Sequence, residues 1–267
     1  MEWWPAYLAM GLFVGFFAGM LGIGGGVMLV PLMAFVFAAQ AFPADRILHL
    51  ALGTSLASIV FTSVTSLLAH HRRGAVRWDI VRRAAIPLVI GTLLGSFVAD
   101  VLKSRYLAIV FVVFVYYSAT RLFLDVRPKP TRQLPGAFGL WIAATVIGVI
   151  SSLVGAGGGV ISIPLMTMCN VPMRNAVGTS AALGLPIALA GTAGYAFHGV
   201  GLDQLPAWSM GYIYLPALSG IVLGTLLTVP LGAKAAHRMP VPLLQKIFAA
   251  ILFLLASHML WSLYAAN

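Results

Sequence analysis

The sequence predicts an all-α polytopic membrane protein made of two inverted repeats, each a glycine-broken helical hairpin followed by three transmembrane helices. Three observations carry this expectation. Of 267 residues, 61% are hydrophobic and 8% charged, and the mean hydropathy is +1.00. That leaves too little polar surface to coat a soluble globule of this length. The chain also repeats itself: Gly22-Ile-Gly-Gly-Gly-Val-Met-Leu-Val-Pro-Leu-Met33 returns 133 residues later as Gly155-Ala-Gly-Gly-Gly-Val-Ile-Ser-Ile-Pro-Leu-Met166, with eight of twelve positions identical. Two further blocks follow in the same order. Ala51-Leu-Gly-Thr-Ser-Leu-Ala57 matches Ala176-Val-Gly-Thr-Ser-Ala-Ala182, and Pro87, Gly91, Leu94 and Gly95 match Pro216, Gly220, Leu223 and Gly224. The third observation is the distribution of basic residues, which depends on where the segments fall.

Apolar runs bounded by charges or turn residues lie at about 6–39, 47–69, 78–99, 106–124, 134–169, 176–197, 208–231 and 241–264. Lipid cannot satisfy open backbone groups, and unalternating runs of this length mean helices. The first and fifth runs are too long for one crossing. At 1.5 Å per residue each would extend about 51 Å, against a hydrocarbon core of about 30 Å. Each must therefore fold back at its glycines, as a hairpin of two short helices. The charged, Pro-rich stretch at 125–133 separates repeat one (1–124) from repeat two (134–267) and reads as a cytoplasmic linker inside a single transporter domain.

If both long runs return to the side they entered, each repeat makes an odd number of net crossings and the repeats have opposite orientations. With the loop from His70 to Arg77 in the cytoplasm, 13 Lys and Arg residues collect on that side and three, Arg46, Lys103 and Arg105, lie outside. Single crossings would give 9 against 7. The positive-inside rule favours inverted repeats with both termini outside.

The net charge of +10 reports this topology and not a nucleic-acid partner. The single cysteine, Cys169, excludes an intrachain disulfide and a cysteine metal cluster; its plainest role is a small buried apolar side chain. The start, Met1-Glu-Trp-Trp-Pro, lacks the basic region of a cleavable signal peptide, so the first apolar segment is expected to stay, with its tryptophans at the interface.

At these blocks the chain resembles the sulfite exporter TauE/SafE family of membrane transporters. The resemblance covers nearly all of both repeats. It rests on the Gly-x-Gly-Gly-Gly hairpins ending Val30-Pro-Leu-Met33 and Ile163-Pro-Leu-Met166, the Gly-Thr-Ser helices at 53–55 and 178–180, the His-x-x-Gly loop from His71 to Gly74, and the paired glycines at 91 and 95. It implies a multi-pass protein of the bacterial inner membrane that moves sulfite, sulfonates or related sulfur anions, often outward. Repeat two departs from the pattern after Ala196-Phe-His198, where it has no basic residues.

Gly24, Gly25, Gly26, Gly157, Gly158 and Gly159 are the leading candidates for substrate binding. A glycine run lets backbone amides face a ligand, and the helix that follows presents its unpaired N–H groups at the same point. Each helix amino end counts as about half a positive charge, so two converging ends match a monoanion. Close helix packing by small residues is the alternative. Thr54, Ser55, Thr179 and Ser180 could donate to sulfonate or sulfite oxygens, or bond carbonyls of their own helix. Pro31 and Pro164 are expected kinks.

All six acidic residues fall at segment ends, so a carboxylate proton relay has no obvious members; proton coupling would have to use His49, His198 or His258. No catalytic residue, metal or cofactor is expected. An intramembrane hydrolase is the least favoured reading, because Ser151 and Ser152 adjoin a glycine hairpin but no serine sits in Gly-x-Ser-x-Gly. An anion channel or an uptake carrier would share the same residues. The charge asymmetry makes a direct prediction: cysteine labels at Gly74 and Asn267 react from opposite sides of the membrane, cytoplasmic and external. Same-sided labelling refutes inverted repeats.

Overall fold

The computed structural model describes residues 2–21, 25–124, 133–202, 205–236 and 241–265. The long first run is divided into α1 (Trp4–Leu21) and α2 (Gly26–Ala39), followed by α3 (Ile47–Arg72), α4 (Trp78–Val101) and α5 (Ser104–Phe123). The second half repeats the order: α6 (Ala137–Val154), α7 (Gly159–Met168), α8 (Met173–His198), α9 (Leu215–Ala236) and α10 (Val241–Ala265). Seven of these, α3 to α6 and α8 to α10, are long and apolar enough to cross a membrane. The expected linker falls almost wholly outside the described residues.

Both long runs fold back at their glycines. Gly25 lies against Val14 and Ala18 of α1, and Gly158 against Ile147 and Ser151 of α6. The offset of 133 residues that relates the two glycine runs also relates these neighbours. The arms are unequal, a correction to the expected pair of short helices. The 18 residues of α1 and of α6 extend about 27 Å, whereas the 14 of α2 and 10 of α7 extend about 21 and 15 Å. The second arm is the shorter in each half, because the glycine run takes up the residues before it.

One stretch is not helical. The run from 208 begins with β1 (Ser209–Met210) and β2 (Ile213–Tyr214), antiparallel, before α9 starts. Gly211, at φ +56°, makes the tight turn possible, and the Tyr212 N–H donates to the Tyr195 carbonyl at 3.1 Å, which fastens the hairpin to the end of α8. Continuous hydrophobicity hid this turn from the sequence reading.

The halves interlock. α9 packs along α1 and α4 packs along α6, so each half's hairpin arm is covered by the second helix after the other half's hairpin. Lipid supplies no hydrophobic drive for this, and close approach of small residues replaces it. Gly11, Gly15 and Gly19 of α1 lie against Ile221, Thr225 and Val229 of α9, while Gly220 and Gly224 lie against Tyr7 and Leu12. The rising order of both sets makes the helices parallel. Gly91 and Gly95 of α4 meet Thr145 and Val149 of α6 in the same sense. At the centre α3 and α8 run antiparallel, since Gly53 near the start of α3 meets Tyr195 near the end of α8, while Arg174 at the start of α8 bonds the Arg73 carbonyl just past the end of α3. These two are also the most enclosed spans, 72% and 61% buried against 33–44% for the other five. Ile86, Val101, Leu227 and Leu254 project outward, as expected of residues facing lipid.

The glycine seam makes a stability prediction. A Cβ on Gly224 would stand 2.5 Å from the Leu12 nitrogen and 2.6 Å from the Leu8 carbonyl oxygen, backbone atoms that cannot swing aside. Gly224→Ala should cost about 1–3 kcal/mol. Gly136→Ala, with nothing within 4 Å of its new methyl group, should be near neutral. Thermal unfolding in detergent measures both, and equal midpoints would refute the seam.

Candidate functional site

The two glycine turns meet inside the protein. A Cβ on Gly26 would run into the Gly155 carbonyl oxygen and stand 2.8 Å from Ile59 Cδ1 and 3.2 Å from the Ala156 Cα. One on Gly157 would lie 3.2 Å from Ile59 Cγ2 and 4.0 Å from the Gly184 Cα. Ile59 of α3 therefore sits between the turn of one half and the turn of the other. Gly155 and Gly158 take φ of +64° and +77°, the left-handed region where a side chain is strained, so the second turn needs glycine at both positions. Gly24 lies outside the described residues.

Each turn delivers a helix amino end. The first backbone bonds of α2 run from the Met28 and Leu29 N–H groups to the Gly25 carbonyl, at 3.1 and 3.0 Å. In α7 they run from Ile161 and Ser162 to the Gly158 carbonyl, at 3.1 and 2.9 Å. The N–H groups of Gly26 and Val27, and of Gly159 and Val160, thus precede the helical ladder at both ends. Such ends attract anions, because the unpaired N–H dipoles of the first turn point outward together. Pro31 and Pro164 lie inside α2 and α7 at matched positions; having no N–H, each leaves the carbonyl four residues earlier, Val27 or Val160, without its helical donor.

In the Gly-Thr-Ser segments each threonine accepts a backbone N–H from the other half, which leaves its own O–H to donate. The Thr54 hydroxyl oxygen accepts the Tyr214 N–H at 3.0 Å, and that of Thr179 accepts the Arg77 N–H at 3.0 Å. The preceding glycines bear on carbonyls two residues upstream of those donors: Gly53 on Tyr212, and Gly178 on Ala75, where a Cβ would stand 2.7 Å from the oxygen. In both halves a Gly-Thr step on the central helix grips the backbone of the other half's connection to α9 or α4. The serines turn toward the hairpins. Ser55 donates to the Gly155 carbonyl at 2.9 Å, and Ser162 of α7 donates to Ser180 at 2.8 Å. Gly26, Ser55 and Gly157 are brought together around the second turn, and Ser180 joins α7. Thr54 and Thr179 are directed to the two connections.

Two residues near the turns escaped the sequence reading as binding groups. Ile59 matches Gly184 in the second half, so its place between the turns has no repeat signal. Ser151, at 1% exposure, has a hydroxyl with no hydrogen-bond partner, 3.5 Å from where a Cβ of Gly158 would stand. Ser152 Oγ, also buried, is likewise unpartnered. Ser151 corresponds to Ala18 in the first half, so only the fold reveals it. An unpaired hydroxyl in an apolar surround is costly, and its position beside the amino end of α7 suits it to donate to a bound anion.

The surroundings carry no fixed buried charge. Among the described residues the buried polar side chains are serines, threonines and His49, with no Asp, Glu, Lys or Arg. His49 shares a 2.9 Å hydrogen bond between Nε2 and the Ala99 carbonyl, so Nε2 carries the proton, and its ring stacks on Tyr212 at 5.1 Å. His198 bonds the Gly194 carbonyl of its own helix at 2.7 Å, while His258 is exposed beside Phe35. Charged groups gather at the ends. At one end Arg46 donates to the Tyr212 hydroxyl at 2.6 Å, and that hydroxyl donates to Asp100 at 3.1 Å. Burial pushes the Tyr212 phenol up to about 12, so it stays a neutral donor throughout the physiological range. At the other end Arg77 pairs with Asp79 at 2.6 Å, and Asn175 donates to the Ala75 carbonyl at 3.3 Å. No group of three or more metal-ligating side chains occurs among the described residues.

Comparison with known proteins places this arrangement. Residues 7–259 match the family described as sulfite exporter TauE/SafE. The chain is similar to a probable membrane transporter protein of Haemophilus influenzae, 34% identical over 254 residues that cover 94% of this chain and 96% of the relative. A probable membrane transporter protein of Methanocaldococcus jannaschii is 25% identical, over 96% of this chain and 95% of its own, and one of Bacillus subtilis is 27% identical, over 85% and 88%. The family and these relatives are transporters and not enzymes. With ten helices, glycine-broken arms and no buried charged side chain among the described residues, the chain belongs to the sulfite exporter TauE/SafE family of multi-pass membrane transporters.

Proposed function

We propose that this protein is a single-unit carrier of the bacterial inner membrane that exports a small sulfur oxyanion or organosulfonate, bound between the amino ends of α2 and α7. The observation that carries this reading is the meeting of the two glycine turns, with the unpartnered Ser151 hydroxyl beside the second. Two half-charges of helix dipole and one or more hydroxyl donors suit a monoanion. Alternating access comes from rocking the two halves about this midplane site. The antiparallel run of α3 and α8 supports opposite orientations for the halves, and the distribution of basic residues supports both termini outside.

Export needs no further ion in this reading. Moving one negative charge out of a negative-inside cell gains about 2.3 kcal/mol per 100 mV. The interior offers no carboxylate to relay a proton among the described residues, and the hydrogen bonds of His49 and His198 to backbone carbonyls have structural geometry.

Two predictions test the site and the driving force. Ser151→Ala removes a hydroxyl that makes no bond in the protein, so thermal stability should hold or rise slightly while the apparent affinity for sulfite or sulfoacetate falls about tenfold, the value of one hydrogen bond to a charged acceptor. Reduced stability with unchanged affinity would assign Ser151 to packing. In proteoliposomes, anion export should follow an imposed membrane potential and persist when the pH gradient is removed. Single substitutions of His49, His198 or His258 should then alter the rate only modestly. Flux that disappears with the pH gradient at fixed potential would replace uniport with proton coupling.

A further inference from the structure

We propose that the protein has a second ligand site, for an ammonium group, in an aromatic cavity at the end of the molecule where α1 begins. This cavity has a volume of about 390 Å³ and lies between the halves: Trp3, just before α1, and Trp4 and Tyr7 of α1 line one side, and Trp208, just before β1, and Tyr214 of β2 line the other. A volume of this size accommodates a small molecule. Five aromatic residues line this one space, and the face of an aromatic ring attracts cations through its quadrupole.

The polar groups present have the same preference. The Trp4 indole N–H is already used, donating to Ser219 at 3.1 Å. The Gln40 amide nitrogen donates to the Tyr7 hydroxyl and to the Val36 carbonyl, so what Gln40 can offer a ligand is its acceptor oxygen. Glu2 adds a carboxylate, and no Lys or Arg lines the cavity. An ammonium finds rings, an amide oxygen and a carboxylate here, with no Lys or Arg among the lining residues to oppose it.

Trp208 supplies an independent observation. Its φ is +69°, a left-handed conformation that bulky residues rarely adopt and that persists only where the surroundings impose it. The Leu215 N–H donates to the Trp208 carbonyl at 3.2 Å, closing the β hairpin and holding the residue in place, with its side chain 74% exposed at the cavity. A tryptophan that only anchors the chain at the membrane interface needs no such backbone.

The ammonium could belong to a free solute or to a lipid headgroup, and one experiment separates them. The intact protein in phosphatidylglycerol nanodiscs is titrated with tetramethylammonium chloride at constant ionic strength, and tryptophan emission is followed; three of the six tryptophans line the cavity. A saturable change is expected that sodium chloride does not produce. The half-point should rise about tenfold in Trp208→Ala and about threefold in Glu2→Gln, an exposed position whose change leaves the fold intact. In phosphatidylcholine nanodiscs the response disappears if headgroups fill the cavity and remains if the ligand is a free solute. A linear, unsaturable response in phosphatidylglycerol, or wild-type titrations in both variants, overturns the proposal.

Discussion

A helix that begins partway through a bilayer leaves its first N–H groups where lipid cannot satisfy them. Both α2 and α7 begin at glycine turns beside Ile59, in the middle of α3, so their amino ends must be enclosed by protein. Residues Gly26 to Pro31 of α2 are all buried, and the turn before α7 is covered by Leu52 and Ile59 of α3, Val30 of α2 and Ile187 of α8. The rest of the architecture follows from this requirement. The two most enclosed spans stand beside the turns, the remaining spans form an outer layer, and charged residues keep to the ends. In the proposed function the enclosed amino ends supply the attraction for an anion, there being no buried lysine or arginine among the described residues.

Enclosure in lipid depends on close contact, because apolar side chains gain little by leaving hydrocarbon for protein. The glycines of α1 and α9, and of α4 and α6, let backbones approach until a methyl group would no longer fit. Each seam joins the hairpin of one half to a span of the other, and neither half is enclosed by itself. Glycine thus has two uses in this chain. In the hairpin turns it permits a reversal and a positive φ; in the seams its value is the absence of a side chain.

The Gly-Thr grips fix the halves at their ends. Each combines a glycine against a carbonyl with a threonine that accepts an N–H two residues further on, and each satisfies backbone groups of a connection that has no helical partner for them. One lies at the Arg46–Tyr212–Asp100 end and the other at the Arg73–Arg174 end. In the proposed rocking motion they are the contacts that strain in turn as one side opens. Their hydrogen bonds are local, so either can be strained without disturbing the seams that keep each half's hairpin covered.

The spans, the two broken runs and the matched halves were legible in the sequence, because hydropathy reports contact with lipid and glycine repetition reports where a run must break. Expected and observed starts agree within about three residues for the spans other than α9. That helix starts late because Gly211 allows a hairpin turn that uniform hydrophobicity conceals. Repetition also singled out the glycine turns, which the fold brings together. What each hydroxyl touches was not: repetition singles out Thr54 and Thr179 equally well whether they face a ligand or a backbone N–H. Ser151 and Ile59 repeat nowhere, and the cavity at Trp208 joins residues from Glu2 to Ser219. Hydropathy, periodicity and repetition describe a residue's own segment and its environment; which atom it meets across the two halves is decided only when the helices pack.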